Sequence, residues 1–223
     1  VPILFWMGFD FTTQAAPLGS LLNVVVGGSS TVTYVRERLV DWRIGIPFGI
    51  AMIVFAPLGA YATTWFPTDT IVAVLALFTA AAAIFIASGY QPREELGFSG
   101  REETGVGLGG GSVLGFFAGL IGQGGGVFVV PLLYMLGIEA KVAAATSALV
   151  ITGAGLSSVV SHLAIASTPI WDLWIGSSIA VLAGSQIGSR LMATRLESET
   201  IKRIFGVVLF GIAIILLYQA FGG

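Results

Sequence analysis

Seven long apolar runs dominate the chain, at residues 12–35, 44–65, 69–90, 105–122, 142–165, 171–193 and 200–221. Each is close to the about 20 residues that an α-helix needs to cross the hydrocarbon core of a bilayer. Two shorter runs, 1–9 and 125–137, are near half that length, and neither crosses alone. Hydrophobic residues make up 56% of the 223 and charged residues 10%, with a mean hydropathy of +0.94. A soluble domain carries about a quarter charged residues, so this chain has too little polar surface to cover a globule in water. The expected class is an all-α polytopic membrane protein.

Composition also removes functions. A net charge of −2 implies no nucleic-acid partner. The absence of cysteine rules out disulfides and thiolate metal sites. The single histidine, His162, is too little for a histidine metal cluster, so neither metal nor cofactor is expected. No secretory signal pattern opens the chain. It starts at Val1-Pro2 without a methionine, and is expected to begin inside a longer gene product.

The chain resembles itself. "VPILFWMGFDFTTQAA" at Val1 is similar to "VPLLYMLGIEAKVAAA" at Val130. Pro2 matches Pro131 and Gly8 matches Gly137, a displacement of 129 residues, while Asp10 faces Glu139. The same displacement pairs Trp42 with Trp171, Ile50 with Ile179, Ala51 with Ala180, and Gly59 with Gly188. Small compensating gaps fall around Pro17–Ser20 and after Ser158. A shared displacement across Pro, Gly and Trp is hard to reach by chance, so the chain is expected to be duplicated. Each unit is a short or broken Gly-rich segment followed by three long transmembrane helices. Residues 1–90 form the first repeat, 91–104 a cytoplasmic linker, and 105–223 the second repeat, with the glycine-rich part of the first expected upstream of Val1.

Basic residues orient these units. Arg36, Arg38 and Arg43 crowd the first inter-helix loop of the first half, and the next loop, "WFPTD", has none. In the second half "IASTPIWD" is bare, while the following loop region carries Arg190, Arg195, Lys202 and Arg203. The halves are therefore expected to sit in opposite senses, provided that 105–137 leaves and returns to the cytoplasmic side as a hairpin. Inverted-topology repeats are typical of secondary transporters, which bind substrate near the midplane where broken helices meet.

Gly122, Gly124, Gly125 and Gly126 crowd the middle of an apolar stretch, although each glycine in a helix interior costs about 1 kcal/mol relative to alanine. One reading makes Gly122-Gln123-Gly124-Gly125-Gly126 the tip of a hairpin, since irregular backbone is tolerated at membrane depth where it faces protein or a wet cavity. The half-helix starting near Gly126 then points its positive dipole end at an anion. The other reading is close helix packing through small residues. Packing is favoured for "GVGLGGGSVLG" at Gly105–Gly115, and the binding tip for the cluster followed by Pro131.

"GQGGGVFVVPLL", followed about a dozen residues on by "AAATSALV", resembles the signature of the TauE/SafE sulfite exporters, within the toluenesulfonate-uptake permease group. "RLVDWR" at Arg38–Arg43 is similar to the loop of that family's first half, and the resemblance spans nearly the whole chain. It implies a multi-pass bacterial or archaeal inner-membrane transporter that moves sulfite or organosulfonates, usually outward. The first half departs from the pattern. The glycines expected just before Val1 are not in this sequence, and Gly19-Ser20 replaces the Thr-Ser pair.

Candidate substrate-binding residues are Gly122, Gln123, Gly124, Gly125, Gly126, Thr146, Ser147, Ser20 and Asn23, with Pro2 and Pro131 as structural motif positions. Thr146 and Ser147 either donate to oxyanion oxygens or satisfy helix carbonyls. Ser20 and Asn23 hold the related place in the first half, and Asn23, the only asparagine, needs a polar partner inside its apolar run. Gln123 both donates and accepts. Gln186 fits a helix–helix hydrogen bond equally well. His162, near the outer end of its helix, is expected to be interfacial.

No Asp or Glu lies deep in any run, so a carboxylate proton relay is not expected. The leading expectation is a secondary transporter that exports a small sulfur-containing anion, with the lipid bilayer as its other partner. An anion channel on the same fold, or a permease for another small solute, stays open. An enzyme is disfavoured, because no nucleophile–base pairing is visible.

Overall fold

The computed structural model describes residues 7–87, 100–121, 126–165 and 168–221. A π-helical turn, Phe11–Ala15, leads into α1 (Ala16–Arg36), followed by α2 (Trp42–Ala62) and α3 (Thr68–Ala87). Then come α4 (Gly100–Ile121), α5 (Gly126–Met135), α6 (Ala140–Ile165), α7 (Trp171–Arg195) and α8 (Ser198–Phe221). No strand occurs among the described residues. Thr13–Arg36, Trp42–Ala62 and Ala140–Ala164 are long and apolar enough to cross a membrane. The all-helical class expected from the apolar runs is the one observed, and these three helices are consistent with a polytopic membrane protein.

The helix ends follow from local chemistry. The Asp10 carboxylate accepts the Thr13 N–H and hydroxyl, each at 2.7 Å, and so starts the first helical segment. Asp41 does the same for α2 by accepting the Arg43 N–H at 2.9 Å. Such side-chain caps satisfy donors that a helix N-terminus leaves unpaired. At the end of α5, Gly137 turns the chain at φ 86° while Ile138 N–H donates to the Leu133 carbonyl at 3.2 Å. Arg38 makes the same turn after α1 at φ 56°, a conformation that costs a non-glycine residue about 1–2 kcal/mol.

Some boundaries recur along the chain. The π-helical turn begins at Phe11 and α6 at Ala140, while α2 begins at Trp42 and α7 at Trp171. Gly8 and Gly137, the positive-φ glycines among the described residues, have φ 87° and 86°. Each of these pairs is separated by the 129 residues that relate the sequence matches. Helix α4 already contains residues 100–104, the end of the stretch read as a linker.

The closest packing joins α2 to α4. Gly111, Gly115 and Gly119 lie one turn apart on α4 and face α2. A Cβ on Gly119 would stand 1.9 Å from the Ala56 carbonyl oxygen, and one on Gly59 of α2 would stand 1.8 Å from that of Phe116. Backbone meets backbone here, so Gly107, Gly110, Gly111 and Gly115 serve helix packing, as expected, while Gly105 and Gly109 face open space.

Helix α6 is central, packing on α1, α2 and α5 and, less extensively, on α4 and α8. Helix α3 pairs with α8, and α1 also packs on α7. That last seam is polar. Ser29 and Ser185 share a hydrogen bond at 2.5 Å, and Gln186 Nε2 donates to the Ser29 carbonyl at 2.8 Å. The helix–helix reading of Gln186 is therefore the one the structure shows.

Candidate functional site

Four helices line an open cavity of about 360 Å³. Helix α1 presents Asn23, Ser30 and Tyr34 to it, spaced so that they share one helix face. Across from them α6 contributes Ser147 and Ile151, α5 contributes Val130, and α8 closes the side with an apolar wall that includes Phe205 and Leu209. Among the described residues, the lining contains no Asp, Glu, Lys or Arg.

Two of the sequence-selected residues meet here. Asn23 donates one amide hydrogen to the Gly19 carbonyl at 2.9 Å, which satisfies the polar-partner requirement within its own helix. Its second N–H and its oxygen stay available. Ser147 donates to the Ala144 carbonyl at 2.8 Å, as Ser and Thr in apolar helices commonly do. Its lone pairs are left for a donor.

Two others are placed elsewhere. Thr146 is fully buried and accepts the Asp41 N–H at 2.9 Å, so it secures the loop between α1 and α2. Ser20 is equally buried and bonds Ser158 at 2.9 Å, joining α1 to α6 away from the cavity. Gly122, Gln123, Gly124 and Gly125 lie outside the described residues, as does Pro2. Gly126 is the first residue of α5, and Pro131 lies inside that helix, one position after Val130. The start of α5 is thus about 6 Å along the helix axis from the cavity-lining Val130.

His162 differs from expectation. It is 1% exposed, with Nε2 3.2 Å from the Gly119 carbonyl oxygen. Counting residues from the helix end suggests an interfacial position. The close approach permitted by the α4 glycines brings that carbonyl to the ring instead.

Sequence reasoning passed over Ser30 and Tyr34. A signal was present, because both fall on the Asn23 face of α1 inside an apolar run. The opposing faces of α6 and α8 are needed to show that this face meets a cavity.

A family model described as sulfite exporter TauE/SafE matches residues 1–216. The chain belongs to that family. It is 29% identical over 231 residues to a probable membrane transporter protein, YunE, of Bacillus subtilis (strain 168), covering 94% of this chain and 83% of that protein. It is 28% identical over 200 residues to a second, y4hK of Sinorhizobium fredii (strain NBRC 101917 / NGR234), covering 86% and 78% respectively. No solved structure matches it significantly. The family is one of membrane transporters, which agrees with the apolar helices and with a cavity built between them.

Proposed function

We propose that the chain is a secondary transporter carrying a small sulfur-containing anion, sulfite or an organosulfonate, outward across a bacterial or archaeal inner membrane. The observation that carries this reading is the cavity itself. It places Asn23, Ser30, Tyr34 and Ser147 together between apolar helices, with no acidic residue among the described lining residues to repel an anion. Groups of this kind orient a ligand inside an otherwise apolar pocket. The family description supplies the sulfur.

In this proposal the glycine tip, Gly122 to Gly126 with Gln123, adds main-chain donors at the start of α5, whose positive dipole end favours an anion. The chain is read as two inverted-topology repeats, 1–90 and 105–223. Support comes from the recurrence of helix starts and positive-φ glycines at a displacement of 129 residues. Export of an anion from a cell with a negative interior releases about 2.3 kcal/mol per charge per 100 mV, so no carboxylate relay is required.

The test is flux from proteoliposomes loaded with sulfite or an organosulfonate. Saturable efflux is expected. Flux that rises linearly with concentration selects an anion channel on the same fold, and no flux of either anion refutes the proposed substrate.

A further inference from the structure

The cavity holds polar groups that the fold itself does not use. Among the described residues, neither the Ser30 hydroxyl nor the Tyr34 hydroxyl has a hydrogen-bond partner. Both residues are largely buried, at 6% and 8% exposure, and both line the cavity. Their oxygens are not among the buried unpaired atoms, so they are reached from the open space of the cavity and stay free to bind what enters it. Both stand on the Asn23 face of α1, which runs about 16 Å from Asn23 to Tyr34, roughly half the thickness of a hydrocarbon core.

Among the described residues, no charged side chain lines the cavity. Lys141 Nζ donates to the Leu196 carbonyl at 3.2 Å, while Lys202 Nζ lies 5.4 Å from the centre of the Tyr134 ring. Neutral hydroxyl and amide donors can replace the water around one negative charge. A second charge in the same largely apolar cavity would find no cation in that lining to offset its desolvation.

We propose that Ser30 and Tyr34, together with Asn23, form a charge-free binding face on α1 that selects singly charged oxyanions over doubly charged ones. The proposal rests on the transport reading and adds to it a charge rule and two named residues. Phe205 and Leu209 opposite this face leave space for an apolar remainder on the anion. Sulfite, which gains a proton as pH falls, is then carried as its monoanion.

The experiment uses the full chain in proteoliposomes with three probes. These are benzenesulfonate (a monoanion throughout the working range), sulfate (a dianion), and sulfite, which titrates between the two forms. Expected results are saturable benzenesulfonate flux insensitive to pH, sulfite flux rising as pH falls, and negligible sulfate flux. Ser30→Ala and Tyr34→Phe should each raise the benzenesulfonate KM about tenfold, the usual effect of losing a hydrogen bond to a charged group. Ser30→Thr, which keeps the hydroxyl, should restore the KM.

Unfolding temperature, measured alongside, identifies any variant whose loss is one of folding; Ser30→Ala and Ser30→Thr then carry the comparison. Wild-type KM in the Ala and Phe variants overturns the assignment of these hydroxyls. Sulfate carried as well as benzenesulfonate overturns the charge rule. If the wild-type chain carries neither benzenesulfonate nor sulfite, the transport reading fails and this inference fails with it.

Discussion

The Oγ1 of Thr146 accepts the backbone N–H of Asp41 at 2.9 Å, so one hydroxyl near the start of α6 fixes the loop that opens α2. The loop is demanding, because Arg38 within it holds φ 56°. Thr146→Val keeps the shape and removes the acceptor, leaving a partly buried N–H unpaired. A loss of about 1–3 kcal/mol is expected. Thr146→Ser, which retains the oxygen, should unfold near the wild-type midpoint. Denaturant unfolding in detergent checks both, and equal midpoints for Val and Thr would show that the bond contributes nothing.

The α2–α4 seam makes a sharper prediction about glycines on one helix. Gly119→Ala places a methyl group 1.9 Å from the Ala56 carbonyl oxygen and forces the helices apart. It should lower the yield of folded protein severely, because backbone cannot move aside as a flexible side chain can. Gly109 is on the same helix, with nothing within 4 Å of an added Cβ. Gly109→Ala should be harmless, or stabilising by up to about 1 kcal/mol through helix propensity. Size-exclusion profiles of the two variants decide the matter.

Orientation can be tested without first removing native thiols, since the chain has no cysteine. Glu37→Cys, Thr168→Cys and Glu197→Cys fall in the α1–α2, α6–α7 and α7–α8 connections respectively. The inverted-repeat proposal expects a membrane-impermeant maleimide in whole cells to label the Thr168 variant alone, with the other two reacting only after permeabilisation. Labelling of all three from outside would dispose of that topology.

Much of the architecture was legible because lipid leaves a helix few options. Run lengths located the long helices, and the short run at 125–137 became α5, a ten-residue helix that starts at Gly126. Most of the glycines at 105–115 were legible as packing, since small residues at helical spacing have few other uses in a membrane, though Gly105 and Gly109 meet nothing. The site was less accessible. Asn23 and Ser147 could be picked out as polar residues in apolar runs. Their neighbours Ser20 and Thr146 look identical by that criterion, yet bond Ser158 and the Asp41 backbone. The difference lies in which partner helix faces each residue, and no local pattern encodes it. His162 shows the same limit, because its burial depends on a carbonyl 43 residues away.

The backbone contact between α2 and α4 also bears on how the molecule can move. Helices meshed by glycines against carbonyls cannot slide past one another without steric collision. We therefore expect α2 and α4 to travel as a single strut during any working cycle. The shear then falls on seams held by side chains, such as the Ser29–Ser185 contact between α1 and α7, where the α7 glycines Gly176, Gly184 and Gly188 meet nothing within 4 Å of an added Cβ. A disulfide joining Ser29→Cys to Ser185→Cys should arrest turnover until it is reduced, and undiminished turnover in the oxidised state would place the moving boundary elsewhere. On this view the glycines of α4 determine where the protein is stiff, and by exclusion where it can bend.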